Sequence, residues 1–259
     1  MGTIQIKNLS FRYDGMLTNL FDQLNLNIDE SWKLGLIGRN GRGKTSYLKL
    51  LLGKYTYQGE LNSSVDFNYF PQRIPDPTQL TKHVLLKIAG LDDSELWRIQ
   101  VEMDKLQLTD SVLGRPFETL SPGERTKALL AVMFTDNQTF QLIDEPTNHL
   151  DIEGREVVAD YLKHKRGFIV VSHDRHFIDQ VIDHVLSIDR AKIQLFAGNY
   201  ETWAAEYQRE NQSELAEKHH LQKEIGRLKA TANTMERWAG HAEGQKQKSR
   251  QSDQHANID

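Results

Sequence analysis

The sequence predicts an α/β domain built on a mainly parallel, buried sheet and followed by a long charged helix. Three observations lead there. Short strands alternate with helical patterns over roughly the first 200 residues, the order that places helices against a parallel sheet. Several strands, such as Gly167–Val171, are apolar throughout, as strands covered on both faces are. From about Asn199 the character changes: proline is already absent after Pro146, β-branched residues thin out and charges dominate.

Taken in order, period-2 alternation predicts strands at Thr3–Leu9, Leu24–Ile28 and Trp32–Ile37. A glycine-rich turn follows at Gly38–Gly43, and Lys44–Leu52 has the apolar face of a helix. Asp66–Phe70 is a further strand. Residues 79–118 carry helical patterns, including Glu95–Leu106, bounded by Pro75, Pro77 and Pro116. A helix over Ser121–Phe134, a strand ending at Ile143, a helix over Ile152–His164 and the strand Gly167–Val171 complete the domain. Gln141 interrupts an apolar run and is expected at a strand start or edge. In the tail, Leu221, Ile225, Leu228, Ala232, Met235 and Ala239 recur in steps of four and three. That narrow stripe fits a coiled-coil seam or a helix docked on its own domain. The polar stretch Gly244–Asp259 has no pattern and is expected to be disordered or a truncated end.

Composition narrows the function classes. With 38% hydrophobic and 26% charged residues the chain has the make-up of a globular protein, and 259 residues suffice for one large domain plus an appendage. There is no cysteine, which excludes disulfides, thiolate metal sites and cysteine nucleophiles and fits a reducing, cytoplasmic location. The first residues lack the apolar stretch of a secretory signal, and no apolar run reaches bilayer-spanning length. The formal net charge of −4 gives no global attraction to nucleic acid.

Chemistry concentrates in two segments. Gly38-Arg39-Asn40-Gly41-Arg42-Gly43-Lys44-Thr45 fits G-x-x-x-x-G-K-[ST] between a strand and a helix. Its glycines let successive N–H groups face one anion, and the helix N-terminus adds partial positive charge. Lys44 is expected to reach the β- and γ-phosphates of a nucleotide, and Thr45, with Ser46 beside it, to meet Mg²⁺ and the phosphates. Phe140–Glu145 is a strand ending in two carboxylates. Asp144 is expected to join the Mg²⁺ shell and Glu145 to act as general base on a water. His173 follows the next apolar strand, where it could contact a γ-phosphate; a lone histidine there is more often structural.

Together these motifs resemble the ABC ATPases, and more narrowly the ABC-F family with its two ATPase domains per chain. Tyr13 in Phe11-Arg12-Tyr13 looks like the aromatic that stacks on adenine, and Phe70-Pro71-Gln72 like the Q-loop, whose glutamine couples the Mg²⁺ site to the helical subdomain. Leu120-Ser121-Pro122-Gly123-Glu124 looks like the ABC signature, with Ser121 and Gly123 as γ-phosphate contacts, and His173 falls at the switch histidine. The run Glu145-Pro146-Thr147-Asn148-His149-Leu150-Asp151 matches the ABC-F form of its segment. The resemblance implies an ABC-type P-loop ATPase domain over residues 1–200, with a helical subdomain at about 73–135, and a helical interdomain linker over 201–259. The catalytic set it implies is Glu145, His173, Gln72 and Lys44. ATP is to be held by Tyr13, Gly38, Asn40, Gly41, Gly43, Lys44, Thr45, Ser46, Ser121 and Gly123, and Mg²⁺ by Thr45, Gln72 and Asp144.

Three departures accompany the resemblance. Pro122 stands where the signature normally has glycine; it removes one N–H but suits a first helical turn, and Ser121 with Glu124 forms a capping-box pattern. The short stretch between Gln72 and Leu120 leaves room for the helical subdomain but not for the long arm of some ABC-F members, and this short form, with Arg39-Asn40-Gly41-Arg42 in the phosphate loop, resembles the antibiotic-resistance branch that protects ribosomes. Only one set of motifs is present, as in an N-terminal half, so a second ABC domain is an implied partner, supplied by a missing C-terminal half or by a second copy. Between Lys218 and Arg250 eight bases face only Glu224, Glu236 and Glu243, with Trp238 near the far end. Such a run is usually a solvated helix face; under the resemblance it contacts ribosomal RNA or tRNA. The competing function class is the ATP-binding subunit of a membrane transporter, which shares the phosphate loop, signature and switch histidine.

Overall fold

The computed structural model describes residues 2–255 apart from Asn137, Arg190 and Ala191, with side chains left undescribed at 192, 214 and 230–255. Two sheets carry the domain. In the first, β1 (Thr3–Phe11) pairs antiparallel with β2 (Phe21–Asp29) on one side and with β4 (Gln58–Ser63) on the other. The second contains β3 (Lys33–Gly38), β5 (Asp66–Phe70), β6 (Thr139–Asp144), β7 (Phe168–Val171), β8 (His184–Asp189) and β9 (Lys192–Ala197) in the order β5-β6-β7-β3-β8-β9. Its first five strands run parallel and β9 closes the edge antiparallel. The expected mainly parallel sheet is therefore present, with an antiparallel sheet beside it.

Burial explains the composition of the strands. All four residues of β7 are buried and so are the four inner residues of β6, whereas β1 alternates, with Ile4, Ile6, Leu9 and Phe11 inward. Both sheets and the helix α1 (Lys44–Leu51) contribute to one core, in which Phe21, Tyr47, Leu48 and Phe140 are almost fully buried. Gln141 departs from the expectation of a strand start or edge. It lies inside β6, between β5 and β7, and is almost fully buried. Its amide donates to Met133 O at 2.8 Å and to Thr139 Oγ1 at 2.7 Å, so local partners replace water for the buried nitrogen.

Between β5 and β6 the chain forms α2 (Thr81–Ala89), α3 (Leu96–Lys105) and α4 (Pro122–Met133), packed through Val84, Leu85, Ile99, Met103 and Leu130. The start of α4 has the capping box its sequence predicts. The Glu124 N–H donates to Ser121 Oγ at 3.2 Å, the Ser121 N–H donates to Glu124 Oε2 at 2.7 Å, and Pro122 occupies the first turn, where its missing donor is not needed. After β6, α5 (Ile152–Lys163) is capped by Asp151 and α6 (Arg175–Val181) by Asp174.

The backbone divides into two units, Met1–Trp203 and Ala204–Asp259. The second is the body of α7 (Tyr200–His255), which stays helical past Gly244, where the sequence pattern stops. Leu221, Ile225 and Leu228 of the tail stripe are exposed. Ala232, Met235, Ala239 and Trp238, and the charged side chains from Glu236 to Arg250, lie outside the described side chains. No helix among the described residues is long and apolar enough to cross a membrane.

Candidate functional site

Parallel strands all deliver their carboxyl ends to one edge of a sheet, where ligands of open α/β sheets bind. Here β3 ends at Gly38 and opens the phosphate loop, β6 ends at Asp144, and β7 ends at Val171, directly before Ser172 and His173. Asp144 pairs with Val171, so the two carboxylates and the histidine emerge side by side. A cleft of about 370 Å³ opens at this edge. Its lining includes Tyr13, Asn40, Gly41, Gly43, Lys44, Thr45 and Ser46 from the nucleotide-binding expectation, together with Asp144, Glu145 and His173.

The loop owes its shape to left-handed backbone. Gly41 has φ 76° and Gly43 φ 98°, which a side chain at either position would strain. Gly43 is the N-cap of α1 and makes no side-chain cap, so the first N–H groups of the helix are left for an external acceptor. The Lys44 ammonium donates to Gly38 O at 2.8 Å and lies 3.5 Å from Asn40 Oδ1, folded back over its own loop. Burial lowers its pKa, and the charges of Glu145 and Asp144 return only part of the shift.

Asp144 Oδ2 accepts hydrogen bonds from Thr45 Oγ1 at 3.1 Å and from the Tyr69 hydroxyl at 3.0 Å. The Tyr69 pKa is raised by burial and by the neighbouring Asp144, which keeps the hydroxyl a donor. No group of three or more His, Asp or Glu side chains that could cage a metal occurs among the described residues. One carboxylate and one hydroxyl at a phosphate loop instead suit Mg²⁺, which keeps waters and phosphate oxygens in its shell. The residues present therefore fit that ion through Thr45 and Asp144.

Glu145 has φ 55°, a left-handed backbone uncommon for a non-glycine residue and frequent at functional sites. Its N–H donates to Val171 O at 2.8 Å, and its Oε2 accepts the His173 N–H at 3.3 Å. His173 Nε2 lies 3.3 Å from Glu145 Oε1. Burial raises the Glu145 carboxyl above its ordinary value, with His173 opposing the shift. A carboxylate so raised is a stronger base toward a water at its side. Behind it Thr147 Oγ1 and Ser172 Oγ share a 2.8 Å hydrogen bond, and Arg155 joins Leu150 O to Asp174 Oδ2, each at 3.1 Å. These contacts brace the two loops that carry Glu145 and His173.

Tyr13 approaches from the other sheet. Its hydroxyl is 2.7 Å from Ser46 Oγ, and its ring meets Phe11 and Tyr55 edge-on, while Met16 and Leu20 extend the apolar side of the cleft. Gly38 contributes through its carbonyl. Four of the expected residues, Gly38, Gln72, Ser121 and Gly123, stand apart from the cleft lining. Gln72 turns toward α4, donating from Nε2 to Leu129 O at 3.3 Å, and its Oε1 is buried without a hydrogen-bond partner among the described residues. Among the described residues its hydrogen bond runs to α4, and none joins it to Thr45 or Asp144. Ser121 and Gly123 lie at the start of α4, where the Ser121 hydroxyl accepts from the Glu124 N–H. Tyr69 is the functional candidate the motifs do not name; as an aromatic in a short strand it has the signature of packing alone.

A family model described as ABC transporter matches residues 21–148. The chain is 29% identical over 235 residues to ABC transporter F family member 5 of Arabidopsis thaliana, aligning 88% of this chain with 33% of that protein. F family member 2 of the same plant is 30% identical over 237 residues, covering 88% of this chain and 34% of the relative. YheS of Haemophilus influenzae, whose name describes an ATP-binding protein, is 28% identical over 218 residues, covering 77% and 32%. The chain thus spans about a third of the length of the curated relatives it matches. Among solved structures, a dimeric bacterial ABC transporter cassette superposes with a TM-score of 0.64 at 17% identity, covering 75% of this chain and 98% of that one. The same cassette as a dimer with ADP and Pi gives the same score. At that identity the likeness shows the fold alone.

Proposed function

Because the chain carries an ABC transporter-like ATPase domain, with ABC-F proteins among its relatives, we propose that it binds Mg²⁺·ATP at the phosphate loop and hydrolyses it, and that the whole protein spends this cycle on the ribosome. The observation that carries the ATPase reading is the convergence of Lys44, Thr45, Asp144, Glu145 and His173 on one cleft from three strand ends. Tyr13 stacks on the base, the loop N–H groups and Lys44 hold the phosphates, and Thr45 with Asp144 holds the ion. Mg²⁺ in that position neutralises charge on the β- and γ-phosphates. Glu145 orients a water and takes its proton as the oxygen attacks the γ-phosphorus; the γ-phosphoryl group leaves as inorganic phosphate and ADP remains. His173 steadies the Glu145 carboxylate through its backbone N–H, 3.3 Å from Oε2.

Ser121 and Gly123, set apart from this cleft at the start of α4, are read as the half-site offered to a second ABC domain. Turnover by this chain alone is therefore expected to be weak and to rise with protein concentration. The ribosomal role is supported by the Glu145–Asp151 run, by the F-family relatives and by the excess of bases along the tail, since phosphate neutralisation supplies most non-specific affinity for RNA. A translation factor and a ribosome-protecting resistance protein both fit this reading.

Co-sedimentation with ribosomes tests it, using Glu145→Gln in the longest native form of the protein, in ATP and in ADP. Removing the base traps the ATP state, so pelleting in ATP and not in ADP is expected. An ATP-binding two-domain form that does not pellet overturns the ribosomal reading and points to a permease partner instead.

A further inference from the structure

Asp144 is held from two directions by hydroxyl groups that arrive on different elements. Thr45 comes from the first turn of α1 and Tyr69 from β5, and both donate to the same oxygen, Oδ2, at 3.1 and 3.0 Å. The strand register explains how Tyr69, paired two positions short of the end of β6, reaches the site. Tyr69 pairs with Leu142, and side chains two apart in a strand share a face, so Asp144 lies on the Tyr69 face one pleat further along. A tyrosine is long enough to bridge that step. Lys54 lies against the ring, its Nζ 5.5 Å from the centroid.

The geometry points to Tyr69 as a positioning residue for the Mg²⁺ site, its hydroxyl fixing the Asp144 carboxylate so that Thr45 and Asp144 are arranged for the ion before it arrives. Two donors on Oδ2 fix both the rotamer and the plane of the carboxylate and leave Oδ1 free of them. The Thr45 proton is committed to that carboxylate, so the lone pairs of its oxygen are available to a cation. With Tyr69 gone, Asp144 keeps one anchor, on a side chain that is itself a ligand of the ion. Hydrogen-bond partners of metal ligands typically change metal affinity by about 10- to 100-fold when removed. Tyr69 also directly precedes the Phe70-Pro71-Gln72 segment that leads into the helical segment, so the strand that steadies the ion site is the strand that leaves for α2.

The inference rests on the reading of this cleft as a Mg²⁺·ATP site, and the test separates the two. Tyr69→Phe deletes one oxygen and keeps the ring. Binding of the fluorescent analogue mant-ATP is measured for wild type and variant in EDTA and across a Mg²⁺ titration, with thermal unfolding as a check on the fold. The expected result is unchanged affinity in EDTA and a Mg²⁺ midpoint raised about tenfold or more. A midpoint within twofold of wild type, or an equal loss of affinity with and without Mg²⁺, overturns the positioning role. Wild-type protein that binds no mant-ATP in either condition overturns the ATP reading itself, and this inference with it. Thr45→Val supplies the second comparison: it removes the other donor and a ligand together, so its midpoint must move further than that of Tyr69→Phe.

Discussion

Replacing Glu102 with leucine should destabilise the domain by about 3 kcal/mol, near the lower end of what breaking a buried ion pair produces. Glu102 sits on α3 with its side chain 9% exposed, and three donors meet it: Lys105 Nζ at 2.7 Å, the Tyr161 hydroxyl at 2.5 Å and the ammonium of Lys165. Lys165, 13% exposed, lies over the rings of Phe134 and Tyr161 at 5.2 and 4.7 Å. Without the carboxylate that ammonium is left buried and unpaired. The ring contacts persist in the variant and cancel. Lys105 is half exposed and contributes about 0–1 kcal/mol. Burial already lowers the Lys165 pKa, so the variant can shed the proton, which caps the penalty. Lys165→Met leaves Glu102 bonded to Tyr161 and Lys105 and should cost about 1–2 kcal/mol. The double variant, Glu102→Leu with Lys165→Met, replaces the pair by apolar groups but leaves the buried Tyr161 hydroxyl without its acceptor, so it should lie within about 1–3 kcal/mol of wild type, short of the sum of the two single losses. Urea unfolding of the four proteins at pH 7, followed by circular dichroism, closes the double-mutant cycle. A loss below about 1 kcal/mol for Glu102→Leu, or simple additivity in the double variant, refutes the reasoning.

Acid should act through the same group. Burial alone raises the Glu102 carboxyl, but the hydrogen bonds from Lys105, Lys165 and Tyr161 outweigh it and hold the group below its ordinary value. The unfolded chain therefore binds this proton more readily than the folded one: the contribution is complete above the unfolded pKa of about 4.3 and is lost as pH falls through the lower folded value. Wild type should thus lose stability more steeply below about pH 4 than the double variant; parallel curves from urea unfolding contradict this. At the start of α4, Ser121→Ala removes the acceptor for the Glu124 N–H and should reduce stability by about 1 kcal/mol in the same assay, with no change in the nucleotide affinity of the isolated chain. Unchanged stability there means the cap is not holding the helix.

The readable parts of the sequence are those where chemistry or burial constrains neighbouring residues. The phosphate loop is legible because an anion cradle needs glycines, a lysine and a hydroxyl in one short run. β7 is legible because a strand covered on both faces must be apolar. Ser121 and Glu124 announce α4 because a capping box is only four residues long. Contacts between distant segments leave no such mark. Glu102 and Lys165 look like two ordinary surface charges until α3 and the turn after α5 bring them together, and Tyr69 acquires its partner Asp144 only through the register of β5 with β6. Gln141 reads as a strand edge because its satisfaction comes from Met133 and Thr139, which no periodicity displays. β4 escapes notice because Gln58–Ser63 is polar and mostly exposed, stabilised by pairing with β1 rather than by burial. Gln72 fits the position of an ion-site residue in sequence, while its amide is held by the Leu129 carbonyl.

The central claim is that the cleft at the ends of β3, β6 and β7 is an ATP site organised by Lys44. Equilibrium binding of Mg²⁺·ATP to the wild-type chain and to Lys44→Ala, by titration calorimetry at pH 7, tests it most directly. The account predicts a single saturable site on the wild type and a loss of at least tenfold in affinity on Lys44→Ala, with unfolding unchanged. Equal binding by the two proteins, or none by the wild type, contradicts it.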